Sequence, residues 1–108
     1  MMTGRMIPVP PDLVEPGDDL IAMRVVGNCM APGIEPGDFV IVARGAAWSD
    51  GAIVVAVALG LWYVKRAYHR GGDVVLRADA PGWPEVHGAS VVGVVRVVSR
   101  EIERGEEP

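Results

Sequence analysis

The chain has 108 residues, half of them hydrophobic, with 14 Gly, 9 Pro, a single Cys and a formal net charge of −4. That length supports one domain with one core, and the acidic balance counts against nucleic-acid binding by this chain, which needs Lys and Arg to neutralise phosphates. One cysteine excludes an internal disulfide and a cysteine-based metal cage and fits a reducing cytoplasm.

Residues 1–19 contain Pro8, Pro10, Pro11 and Pro16. Each proline removes an amide donor and fixes φ, so this stretch reads as an extended arm rather than a helix or central strand. It also lacks the basic region and apolar core of a signal peptide. Residues 20–100 read as the folded domain and 101–108 as a charged tail. Within the domain, valine-rich runs alternate with Gly and Pro, which predicts a mostly β fold of short strands and hairpins. The runs fall at 20–26, 39–43, 52–57, 61–68, 74–77 and 90–98. Pro36-Gly37 suits the centre of a type II turn, with Asp38 as its cap. Residues 58–60 read as a hairpin loop, 71–73 as a turn and 80–84 as a loop. Residues 51–64 are the longest uncharged stretch, too short to span a bilayer and interrupted by Gly60. The last run has valines on both faces, which predicts burial on both sides or pairing with a second copy.

The chemistry centres on Cys29 and Lys65. A Cys nucleophile needs a base, and a lysine serves as one when apolar surroundings disfavour its charged form. On a two-residue period Leu61, Tyr63 and Lys65 share one face of their strand, and Trp62, Val64 and Arg66 the other, so Lys65 sits among large apolar neighbours. Other residues have plainer readings. A lone Cys in a β-rich domain is commonly a small buried hydrophobe, and a lone Lys at the end of an apolar run is commonly solvated. Met30 reads as core or pocket wall, and Trp62, Tyr63 and Trp83 as core or interface. His69 and His87 lie on separate turn-like segments with no metal-ligand spacing, so neither a metal nor a cofactor site is expected.

The order Gly27-x-Cys29-Met30, then Gly37-Asp38, then Lys65-Arg66 resembles the LexA-like serine–lysine peptidases. These are the LexA and phage repressor C-terminal domains, the UmuD-type mutagenesis proteins and, more distantly, the bacterial signal peptidases. The likeness runs from Ile7 to Val98 and is sharpest over 26–38 and 63–66. Ile7-Pro8-Val9-Pro10 with Leu13-Val14 is similar to the entry of the repressor catalytic domain. Tyr63-Val64-Lys65-Arg66 with Gly72-Asp73 is similar to the lysine box of signal peptidases. Cys29 stands where the family has Ser.

The resemblance implies a LexA/signal-peptidase-like β fold. It makes Cys29 the nucleophile, Lys65 the general base, and the backbone amides of Asn28 and Cys29 the oxyanion hole. It implies no cofactor, a peptide segment of this or a related chain as substrate, and a homodimer in which two copies of 90–98 pair their edges. The role would be that of a cytoplasmic, SOS-type repressor or stress-response regulator that acts through autoproteolysis, with no nucleic-acid contact by this chain and no membrane. Family members cleave themselves at an upstream Ala-Gly or Cys-Gly bond, and this sequence contains neither dipeptide. Cleavage within these residues is therefore not expected, and the chain reads as a fragment left after cleavage, an excised C-terminal domain or a stand-alone relative. Two other readings stay open: an inactive dimerisation and partner-binding module with the same fold, and a processing peptidase acting on other chains.

Overall fold

A computed structural model describes residues 18–100; most of the expected arm (1–17) and the whole of the tail (101–108) lie outside them. β-Branched side chains favour the pleated, half-buried surface of a sheet, and each valine-rich run becomes a strand. The strands are β1 (Asp19–Arg24), β2 (Phe39–Arg44), β3 (Ala52–Ala58), β4 (Leu61–Arg70), β5 (Asp73–Arg77), β6 (Val86–His87) and β7 (Ser90–Ser99). All pairings are antiparallel, in one sheet of order β1-β2-β7-β3-β4-β5-β6. Among the described residues no helix is long and apolar enough to cross a membrane.

The position of β7 corrects the expectation that 90–98 pairs with a second copy along its length. Residues 90–94 are held on one side by β3, with Ser90 opposite Val57 and Val94 opposite Val54. On the other side β2 pairs with Gly93 through Ser99. Valines on both faces fit either solution, and here two earlier strands of the same chain supply the partners. Among the described residues 95–99 have a partner strand on the β2 side alone and 90–92 on the β3 side alone. Register shifts between Ile41 and Val42 in β2 and between Val55 and Ala56 in β3 leave Arg96 and Val92 of β7 outside the paired positions, a local bend of the kind that β-bulges introduce.

Successive residues of β3 point to opposite faces, and two apolar clusters follow from that. Val54, Ala56 and Ala58 pack with Ala67, Leu76, Ala89 and Val94. Val55 packs with Val40 and Val42, and the segment after β1 folds over this second face to bury Val25, Met30 and Ile34. That segment is closed at its base. Val25 N–H donates to the Asp38 carbonyl (2.8 Å) and Gly37 N–H to the Val25 carbonyl (2.9 Å). Pro36 and Gly37 form the expected turn, with Asp38 N–H bonded to the Glu35 carbonyl at 3.0 Å and Gly37 at φ 92°, a conformation that favours glycine. Asp38 is the cap: its Oδ2 accepts from Glu35 N–H at 2.8 Å, and Arg100 donates to both of its oxygens at 2.9 and 3.0 Å.

Candidate functional site

Cys29 lies in the segment anchored by Val25 and Asp38. Ala31 N–H donates to the Asn28 carbonyl (3.1 Å) and Ile34 N–H to the Met30 carbonyl (3.0 Å), while the side chains of Met30 and Ile34 are each only 2 % exposed. Buried residues immediately after Cys29 therefore fix the turn, as expected of Met30, and leave the thiol partly buried. Its Sγ donates to the carbonyl oxygen of Val64 at 3.7 Å. The N–H groups of Asn28 and Cys29 make no hydrogen bond among the described residues.

Lys65 lies inside β4, opposite Val54, rather than at a strand end, because β4 continues to Arg70. Its side chain is 2 % exposed, against the solvated alternative. The Nζ stands 5.6 Å from the centre of the Tyr63 ring and 5.3 Å from that of Trp83. Ring faces attract a cation at such distances. Among the described residues Nζ has neither a carboxylate partner nor a hydrogen bond.

Cys29 and Lys65 line the same cavity, about 480 Å³ in volume, together with Asn28, Met23, Val55, Trp62, Tyr63 and Trp83. The cavity opens where, among the described residues, β4 has β3 on one side only, since β5 pairs with β4 from Arg66 onward. No hydrogen bond joins Cys29 Sγ to Lys65 Nζ. Neither histidine lines the cavity. His69 stacks on Trp48 (centroids 4.0 Å apart) and bonds Asp50 at 2.9 Å, and His87 faces Glu85 at 3.3 Å.

Trp62 and Trp83 are 58 % and 48 % exposed, which removes the core half of their core-or-interface reading. They stand at the cavity instead, Trp62 on the stretch of β4 that has no second neighbour and Trp83 on the loop after β5. Sequence reading also missed Asp79, whose carboxylate takes two hydrogen bonds from Arg66, Nε at 2.8 Å and Nη2 at 3.2 Å. That contact holds the Arg66 guanidinium above its ordinary basicity. The readable signal was opposite charge on either side of a predicted antiparallel pair: Arg66 faces Arg77, two residues before Asp79.

A site of this kind, an anchored cysteine beside a buried lysine at an open strand edge, calls for comparison with known proteins. A family model described as Peptidase S24-like matches residues 2–97. The chain belongs to that family. It is 34 % identical over 103 residues to a LexA repressor of Syntrophobacter fumaroxidans, covering 91 % of this chain and 50 % of the relative. It is 33 % identical over 100 residues to a LexA repressor of Frankia alni, covering 90 % and 39 %. A LexA repressor of Mycobacterium sp. (strain KMS) is 35 % identical over 100 residues, covering 90 % and 43 %. This S24-like chain thus spans half or less of the length of these relatives.

Proposed function

We propose that this S24-like chain is the peptidase domain of a LexA-type repressor or stress-response regulator, with Cys29 as nucleophile and Lys65 as general base of a regulated autoproteolysis. The observation that carries the reading is a nearly fully buried lysine, without a carboxylate partner among the described residues, lining the same cavity as the cysteine. In the neutral form Lys65 accepts the thiol proton. The Cys29 sulfur then attacks the carbonyl carbon of a peptide segment laid along the open edge of β4. The N–H groups of Asn28 and Cys29, unbonded among the described residues, are the donors available to the developing oxyanion. The C–N bond breaks, the departing amine takes the proton back from Lys65, and water hydrolyses the resulting thioester. No step needs a cofactor. The regulator works in the cytoplasm, and this domain leaves nucleic-acid contact to other parts of the protein.

The same reading includes a homodimer, supported by the side of 95–99 that lacks a partner strand among the described residues, where a second copy can pair across a twofold axis. Sedimentation of the chain is expected to give a dimer at micromolar concentration; monomer mass at every concentration would remove this part.

One observation favours the inactive binding module. The thiol bonds to the Val64 carbonyl and not to Lys65, the arrangement of an inert packed cysteine. Alkylation of Cys29 by iodoacetamide separates the two, because an activated thiol reacts faster than an inert one. The dyad predicts that Lys65→Ala slows the reaction several-fold, even though the substitution opens the cavity. Equal or faster alkylation in the variant would favour the module.

A further inference from the structure

One short loop touches both halves of the proposed dyad. At its start, Ala80 N–H donates to the Cys29 carbonyl at 2.9 Å, and Asp79 N–H meets the Met30 sulfur at 3.4 Å. Those two contacts tie the loop to the nucleophile turn. The Asp79 carboxylate ties it to the lysine strand through the paired bonds to Arg66, the residue after Lys65. Arg66 is itself fixed from the other side, donating from Nη1 to the Gly51 carbonyl at 2.8 Å. Four residues after Asp79, the Trp83 ring faces Lys65 Nζ. Among the described residues no side-chain bond runs from Cys29 to Lys65; the one direct bond from the turn to the strand that carries the base is the long thiol contact to the Val64 carbonyl, and the loop adds a second path through shorter hydrogen bonds.

We propose that Asp79, through Arg66, is a positioning residue that sets the placement of Lys65 relative to Cys29, and that the loop 78–84 works as the spacer of the dyad. This rests on the dyad reading above. A planar guanidinium bonded by two parallel contacts to a carboxylate fixes orientation as well as distance, which suits a spacer better than a single flexible contact would. Reactions that depend on close approach are sensitive to small displacements: a shift of about 1 Å can cost on the order of a hundredfold. Asp79 and Arg66 are partly exposed, with side chains 34 % and 38 % accessible. Their contribution to overall stability is therefore small, as for surface ion pairs generally, and positioning can be tested apart from folding.

The test measures iodoacetamide alkylation of Cys29 and thermal unfolding for the unaltered chain, Asp79→Asn, Asp79→Glu, Arg66→Gln, Lys65→Ala and the double variant Asp79→Asn/Lys65→Ala. Asp79→Asn and Arg66→Gln are each expected to slow alkylation toward the Lys65→Ala rate with little change in melting temperature, and Asp79→Glu to recover part of the loss. In the Lys65→Ala background, Asp79→Asn is expected to have no further effect. A merely structural role gives the opposite sign, because a loosened loop exposes the thiol and speeds the reaction with or without Lys65. Slow Lys65→Ala with unaltered Asp79→Asn would overturn the positioning role and leave the dyad standing. Equal rates in the unaltered chain and Lys65→Ala would overturn the dyad, and the spacer with it.

Discussion

Asp38 joins a turn cap to the far end of the chain. Its carboxylate is 2 % exposed and accepts from Glu35 N–H and from both arms of Arg100. The Arg100 hydrogen bond is the largest influence on its ionisation and, with the Glu35 amide, outweighs burial to hold the carboxyl below its ordinary value of 3.8. A group depressed on folding stabilises the native state above its unfolded value and loses that contribution as pH falls through the lower folded one. Acid unfolding of the chain therefore has a component below about pH 4 that belongs to Asp38. Asp38→Asn is expected to cost about 2 kcal/mol at pH 7 and to flatten the fall in stability toward pH 2, as read by urea denaturation at the two pH values. A variant that keeps the full acid dependence would assign it to other carboxylates. The sequence marked Asp38 as a cap because Pro-Gly-Asp is local turn chemistry. Arg100 was not legible as its partner, since a charge 62 positions away carries no sign of what it will face. Cys29 and Lys65 stood out for a different reason: the residues around them and their order resembled a known family pattern, with Cys29 in the place of its Ser.

Strands were the most legible elements. Runs of β-branched residues bounded by Gly and Pro predicted six of the seven, with ends within a few residues. β6, two residues long, has no periodicity to detect. The irregularities of β7 were equally hidden, because Ser90–Ser99 reads as an unbroken valine run. Gly93 marks the place where the strand is tightest. A β-carbon there would lie 2.6 Å from the Ala43 carbonyl oxygen, 2.7 Å from a Val42 methyl and 2.9 Å from the Arg44 Cα. Two of those neighbours are backbone of β2 and cannot turn aside. Gly93→Ala is expected to destabilise the fold by about 1–3 kcal/mol through overpacking, visible as a lower melting temperature. An unchanged melting temperature would mean that β2 and β7 separate at little cost. The β4 strand teaches a related lesson. Its alternation was readable, but whether its aromatic side chains entered the core depended on where β5 starts to pair, a tertiary fact.

At the scale of the whole molecule, strand order is what the sequence left unread. Placing β7 between β2 and β3 joins residues distant in the chain, from Val57 with Ser90 to Phe39 with Ser99, and hydrophobic pattern alone does not choose among such pairings. The order matters for function in two ways. Among the described residues it leaves the first half of β4 without a neighbour strand on the cavity side, where Cys29, Lys65 and the two tryptophans gather. It also confines a dimer built on β7 to 90–92 and 95–99, the stretches that among the described residues have a partner strand on one side alone.

The central claim is that Cys29 and Lys65 act together on an acyl group, and acylation measures that directly. The chain would be incubated with an activated ester of a short apolar peptide and the product read by intact mass, alongside Cys29→Ala and Lys65→Ala. The account predicts one acyl group, borne by Cys29 and absent from Cys29→Ala, with its rate reduced on the order of a hundredfold in Lys65→Ala. Acylation that is equally slow in the unaltered chain and Lys65→Ala would contradict it and leave an S24-like fold used for assembly alone.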